Sequence, residues 1–202
     1  MARIEIVDYQ PRWPAEFAEI AAELRAAFGP LALAIHHIGS TSVPGLAAKD
    51  VIDLQVSVAS LDPGEPIEAA VAAAGYAWRP EPLNDHVPVG ADPDPSLWRK
   101  RYAGAGSDLL PAGPGATRRR THIHIRQLGL PNHRYALLFR DYLRASPPAR
   151  ENYALLKREL ARLHPDDVDA YYAIKDPACD LILDAAERWA TQTDWQLPKT
   201  DA

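Results

Sequence analysis

The 202-residue chain has little that could staple it together or anchor it. Cysteine occurs once, at Cys179, which excludes an internal disulfide framework and any zinc site built from cysteines. No apolar run approaches the roughly 20 residues that a bilayer span requires. The N-terminus, Met1-Ala-Arg-Ile-Glu-Ile-Val-Asp8, carries acids where a signal peptide needs an apolar stretch, so the sequence is read as cytoplasmic and without a membrane partner. Basic residues are in deficit: 22 Lys and Arg against 27 Asp and Glu give a net charge of −5, which argues against a general nucleic-acid binder. With 19 Pro and 11 Gly the chain is far from low complexity, and no internal repeat is visible. What is present is an ordinary globular composition, 47% apolar and 24% charged. A chain of this length buries roughly 70% of its unfolded surface and needs no covalent staple.

Patterning divides the chain into short strands followed by helices. Ile4 to Val7 reads as a short strand. Pro14 suits a first helical turn, and Phe17, Ile20, Ala21, Leu24 and Phe28 recur at helical spacing up to Gly29-Pro30. Leu31 to Ile38 is a dense apolar run that includes His36 and His37 and ends at Gly39-Ser40-Thr41-Ser42. Val51 to Val58, rich in β-branched residues, is the clearest strand. A helix is expected over Pro66 to Ala74, and a short strand over Tyr76 to Trp78. Residues 80–117 hold seven Pro and five Gly and read as a mobile loop around a strand at Trp98 to Ala103, a length that usually marks function or disorder. Thr121 to Gln127 is a strand in which His122, His124 and Arg126 alternate with Ile123 and Ile125. Helices follow at about 133–145, from Pro147 to Leu163 with Leu155, Leu156, Leu160 and Leu163 as the expected buried face, and over about 166–190. Residues 1–190 are expected as one domain of α/β (α+β) class, a small mixed sheet with a helical C-terminal cap, and 191–202 as a loose tail.

One local constellation can carry chemistry. A strand ends at Gly39-Ser40-Thr41, and a second strand presents Asp53 with twelve residues intervening after Ser40. Glycine lets a phosphate approach the backbone, and hydroxyls and free N–H groups can hold its oxygens. A carboxylate on the neighbouring strand can hold Mg²⁺, which prefers oxygen ligands and often bridges to substrate phosphates. The competing reading is a tight polar turn with Asp53 paired to a cation.

The segment His37-Ile-Gly-Ser-Thr-Ser-Val-Pro-Gly-Leu-Ala-Ala-Lys49, with Ile52-Asp53, resembles the GrpB family. The likeness continues at Tyr9-Gln-Pro-Arg-Trp13-Pro14, Thr121-His-Ile-His124, Leu138-Phe-Arg-Asp-Tyr-Leu143, Tyr153-Ala-Leu-Leu-Lys157, His164-Pro-Asp-Asp167 and Tyr172-Ala-Ile-Lys175. The resemblance implies a nucleotidyltransferase-like fold, a small mixed sheet flanked by helices. It also implies a pattern of Gly-Ser after one strand, Asp-x-Asp/Glu on the next and a third carboxylate later, the acids holding two metal ions. Gly39, Ser40 and Asp53 match that pattern. Gln55 stands where the second acid belongs, and no third carboxylate is evident. Three arrangements remain open: a single Mg²⁺ or Mn²⁺ carried in by the nucleotide; a transition metal shared by Asp53, His122 and His124, which an i, i+2 pair on one strand face permits; or binding without turnover.

On this reading Asp53 and Ser40 are the candidate catalytic residues. Gly39, Ser40, Thr41, Lys49 and Arg101 are the candidate nucleotide-binding residues, and Asp53, His122 and His124 the candidate metal ligands. His37 is the neighbour expected to face the site, with bonding of the turn as its main role. Asp50, where the family usually has Pro, is expected to pair with Lys49. The clusters Arg99-Lys-Arg101 and Arg118-Arg-Arg120 suit a polyanionic substrate, and Trp98 and Tyr102 could stack on a base. The leading expectation is an enzyme that transfers a nucleotidyl group from a nucleoside triphosphate to an unidentified acceptor. Two rivals stand beside it. One is a non-catalytic domain assisting a metabolic kinase, because segments of this family occur fused to dephospho-CoA kinase. The other is an ATP-dependent ligase that adenylates a carboxylate.

Overall fold

The computed structural model describes residues 3–106 and 118–202. It is built on a five-stranded sheet: β1 (Ala34–Ile38), β2 (Ile52–Val58), β3 (Ala77–Asn84), β4 (Arg99–Ala105) and β5 (Thr121–Gln127). The strand order is β1-β2-β5-β4-β3, with β2 and β5 parallel and every other pair antiparallel. The helices are α1 (Trp13–Phe28), α2 (Glu65–Ala73), α3 (Pro131–Ala145), α4 (Pro147–Leu163) and α5 (Val168–Thr193). This is the mixed α/β architecture that the patterning implied.

The period of two within each strand sorts side chains onto opposite faces. Ile52, Leu54, Val56 and Val58 of β2, with Ile123 and Ile125 of β5, face α1 and α2 and form the main core with Trp13, Phe17, Leu24, Phe28, Ile67 and Val71. Their alternate neighbours, Asp53, Gln55 and Ser57 of β2 and His122, His124 and Arg126 of β5, stand side by side on the other face. That face is roofed by α3, α4 and α5, which reach it through polar contacts such as His133 to Ser57 Oγ, 3.0 Å, and Lys157 to Ser40 Oγ, 2.7 Å.

Several expectations change. Ile4 to Val7 forms no strand; Ile4 donates to Pro165 O, and Val7 makes a single bridge with Ala48. β3 runs on to Asn84, taking up the start of the expected loop, and the part of that loop at 107–117 lies outside the described residues. The buried face of α4 holds only half of the expected leucine stripe: Leu160 is buried and Leu156 packs against the core. Leu155 and Leu163 are each 58% exposed, whereas Tyr153, Ala154, Lys157, Leu160 and Ala161 are buried. A lysine, Lys157, holds a position within that buried face. The segment expected as a loose tail is tied along β1: Ile35 O accepts from Thr200 Oγ1 and Asp201 N, and the Asp201 carboxylate accepts from His37 N and Arg140.

Candidate functional site

The polar sheet face and the three C-terminal helices enclose a cleft of about 330 Å³. Its lining includes Gly39, Ser40, Thr41, Lys49, Asp53, His122, His124, Arg126, Lys157 and Lys175. The corner after β1 is shaped by Gly39, whose φ of +68° suits glycine. A Cβ there would drive into the Asp53 carboxylate, so the glycine is what lets that carboxylate lie against the corner. Ser42 Oγ donates to Gly39 O, and Thr41 Oγ1 donates to Val51 O while meeting His37 Nε2. The Thr41 hydroxyl is thus consumed in holding the corner, and Ser40 is the hydroxyl left to meet a ligand.

Asp53 Oδ1 lies 3.0 Å from His122 Nδ1 and 4.0 Å from His124 Nε2. One ligand atom from each of the three lies within 4.8 Å of the others, so side-chain rotations could bring them onto one ion. Burial, reinforced by Lys100 and Arg126, holds His124 well below the ordinary imidazole pKa, so the ring is neutral. Lys100 Nζ meets His124 Nδ1 at 3.2 Å, and an ammonium there leaves the neutral ring's proton on Nε2, pointing toward Asp53. His124 Nε2 thus faces Asp53 at 4.0 Å, and ligation through Nε2 requires the ring proton to move to Nδ1, where Lys100 stands.

Gln55 cannot stand in for a second acid. Its carbonyl accepts from Arg126 at 2.6 Å and its amide donates to His133 O at 3.2 Å. A further carboxylate, Asp85, does line the cleft from the loop after β3. It is clamped by Lys100 (2.5 Å), Arg126 (2.8 and 3.0 Å) and Asn132 (3.1 Å). Burial alone would raise its pKa, but Arg126 and Lys100 outweigh burial and hold it well below the carboxylate range. Asp85 thus orders the cleft wall and leaves little capacity for an ion. The two-metal arrangement of three acids does not fit these residues; a single ion on one carboxylate and imidazole nitrogen does.

A family profile described as GrpB protein matches residues 3–185. The chain belongs to the GrpB family. Among solved structures, the crystal structure of conserved protein GrpB from Enterococcus faecalis superimposes with a TM-score of 0.70 at 31% identity, covering 92% of this chain and 99% of that one. A protein named dephospho-CoA kinase from Mycolicibacterium paratuberculosis is 37% identical over 96% of this chain and 49% of its own length. UPF0157 protein YqkA from Bacillus subtilis is 35% identical over 93% of this chain and 48% of its own length. The chain thus spans about half the length of these last two relatives.

Within this GrpB chain, Gly39, Ser40, Thr41, Lys49, Asp53, His122 and His124 all line the cleft. Arg101 does not. On β4 it points to the opposite sheet face, donating to Leu61 O, Pro80 O and Asp62. Strand alternation splits the 99–101 cluster, sending Lys100 to the cleft side and leaving Arg99 and Arg101 on Asp62. Arg118 and Arg119 pair with Glu23, Glu16 and Asp50, away from the cleft. His37 stacks on Phe17 at 4.7 Å, on the α1 face. Asp50 does not pair with Lys49; it takes Arg12, Arg119 and the Trp13 indole. Lys49 is thereby left to the cleft, against the Tyr171 and Tyr172 rings at 4.4 and 4.8 Å. Sequence reasoning missed Asp85 and Asn132, and it placed Lys100 in a substrate-facing cluster without its partner Asp85; distance in sequence hides their meeting, and only the alternation that puts Lys100 in phase with His124 across the β4–β5 pair hinted at it.

Proposed function

We propose that the cleft binds a phosphate-bearing nucleotide together with one divalent cation and transfers its nucleotidyl group to an acceptor hydroxyl. The observation that carries this reading is the Asp53 carboxylate packed against the Gly39-Ser40 corner with His122 and His124 beside it, in a cleft lined by lysines. The relatives named dephospho-CoA kinase lend it a nucleotide-related context. Asp53 with His122 would hold the ion, and His124 would join through Nε2 in the tautomer that carries its proton on Nδ1. Nitrogen donors favour Mn²⁺ over Mg²⁺. When bound, such an ion supplies Lewis-acid polarisation of a phosphoryl oxygen.

The chain's own groups supply the rest. Ser40 Oγ and the corner backbone meet phosphate oxygens. Lys49, flanked by two tyrosine rings, supplies positive charge, and its burial beside Lys175 pulls its pKa down to about 8. The His122 ring, with Nδ1 3.0 Å from Asp53 Oδ1, flanks the carboxylate. In the transfer, the acceptor oxygen bonds to the α-phosphorus, the α–β bridging oxygen leaves with pyrophosphate, and the acceptor proton passes to solvent or a basic side chain. Calorimetry with ATP, GTP, CTP and UTP, with and without Mn²⁺ or Mg²⁺, tests the reading. Binding of at least one, lost in Asp53→Ala, is expected; binding of none, or binding indifferent to that change, refutes it.

A second reading has its own support. The matching segment is only about half of the kinase-named relative, so it could serve there as a domain assisting the rest of that chain. A stable complex with a dephospho-CoA kinase, insensitive to Asp53→Asn, is what this reading expects.

A further inference from the structure

Three lysines enter the cleft from three separate elements: Lys49 from the segment before β2, Lys157 from α4 and Lys175 from α5. Lys157 is 3% exposed, yet its Nζ donates only to neutral oxygens, Ser40 Oγ at 2.7 Å and Ala47 O at 2.5 Å. Lys49 has tyrosine faces as its close neighbours. Neither Lys49 nor Lys157 has an ion-pair partner among the described residues, and Lys175 has only the adjacent Asp176, at 3.1 Å. The carboxylates of the cleft are otherwise engaged: Asp85 with Lys100 and Arg126, Asp53 with His122. A buried ammonium without a counter-charge is costly, and like charges gathered around it raise that cost. Burial first, and Lys175 second, pull the Lys157 pKa down to about 7. A folded chain keeps such a cluster most readily where a ligand supplies the missing negative charge.

We infer that Lys49, Lys157 and Lys175, with the Ser40 hydroxyl, form a seat for a condensed phosphate, the di- or triphosphate end of a ligand, independent of any metal. The inference deepens the nucleotide reading and rests on it for the rest of the ligand. Three cations spread around one cavity match a chain of phosphates better than one phosphate, because lysine acts as a point charge and each can take a separate phosphoryl group. Two of the three lysines come from the helical cap, and the Gly39-Ser40 corner adds the hydroxyl that Lys157 already orients.

The test is calorimetry on the full chain in metal-stripped buffer at 0.15 M salt, with inorganic pyrophosphate and orthophosphate as the titrants. Pyrophosphate should bind at least tenfold more tightly than orthophosphate. Lys157→Met, which removes a buried charge and keeps the stem volume, should fold and lose at least tenfold in pyrophosphate affinity. Lys49→Met should do the same, and the exposed Lys199→Met should leave the affinity unchanged. Equal binding of the two anions, or wild-type pyrophosphate affinity in a folded Lys157→Met, overturns the seat. If ATP binds in an Asp53-dependent way while pyrophosphate does not, the seat is wrong and the nucleotide reading stands. If pyrophosphate binds and no nucleotide does, the seat stands and that reading fails.

Discussion

The two faces of one sheet are governed by different physics. Toward α1 and α2, β2 and β5 present Ile52, Leu54, Val56, Ile123 and Ile125 to a closed apolar core, where burial of area is the driving force. Toward α3, α4 and α5, the alternate residues of the same strands present a carboxylate, an amide, two imidazoles and a guanidinium to a cleft, and α4 contributes a lysine where a leucine would pack. One face stabilises the fold; the other holds groups that are costly to bury and need polar partners from neighbouring side chains and backbone. Stability and function are thus carried by neighbouring residues one position apart.

The sharpest way to break the comparison is to strip the polar face of its one fully clamped acid. Asp85→Ala leaves Arg126 and Lys100 buried against each other, and loss of one partner from a buried charge network costs about 3–5 kcal/mol; urea unfolding should show it. On the apolar face, Leu54→Ala opens a cavity in the core and should cost about 2–5 kcal/mol by the same measurement, with cation binding retained. Gly39→Ala probes the seam between the faces. Its positive φ costs about 1–2 kcal/mol for a residue with a Cβ, and the new methyl must displace Asp53, so stability and cation affinity should fall together.

Proton linkage separates the faces further. Lys49 and Lys157 have folded pKa values of about 8 and 7, below the ordinary lysine value. Between those values and about pH 10 the unfolded chain binds more protons than the folded one, so stability rises with pH in that window, by at most about 1.4 kcal/mol per pH unit for each group. The groups around them are Lys175, Cys179, Asp53, Arg120 and Arg158. Lys157→Met should flatten that rise in thermal melts taken from pH 7 to 10. The smallest effect on stability belongs to Asp53→Asn. This part-exposed carboxylate faces the cleft, so the change should move unfolding by less than about 0.5 kcal/mol. Mn²⁺ binding, followed by calorimetry, should be lost. Equal losses of stability from Asp53→Asn and Leu54→Ala would erase the distinction between the faces.

The strand pattern was legible because alternation is local: Val51 to Val58 and Thr121 to Gln127 announce both their existence and their two faces. The Gly39-Ser40 corner and Asp53 were legible because a tight turn and the next strand lie close in sequence. Other features required the fold. Arg101 looked like a ligand for an anion, yet β4 turns it away from the cleft. Asp50 looked like the partner of Lys49, yet Arg12 and Arg119 claim it. Leu155 and Leu163 of α4 misled because hydrophobicity marks only one tendency, and Lys157 is buried by its bonds to Ser40 and Ala47 O against that tendency.

The amino-acid order alone determined the α/β class, the family resemblance and the convergence of Asp53 with its corner, since each depends on contacts within a turn or on the period of a strand. Only the tertiary structure decided which cations face the cleft, that Asp85 joins Lys100 and Arg126, and that the C-terminal segment lies along β1. Those outcomes depend on which strand faces meet which helices, and charge interactions between residues tens of positions apart leave no periodic trace in the sequence.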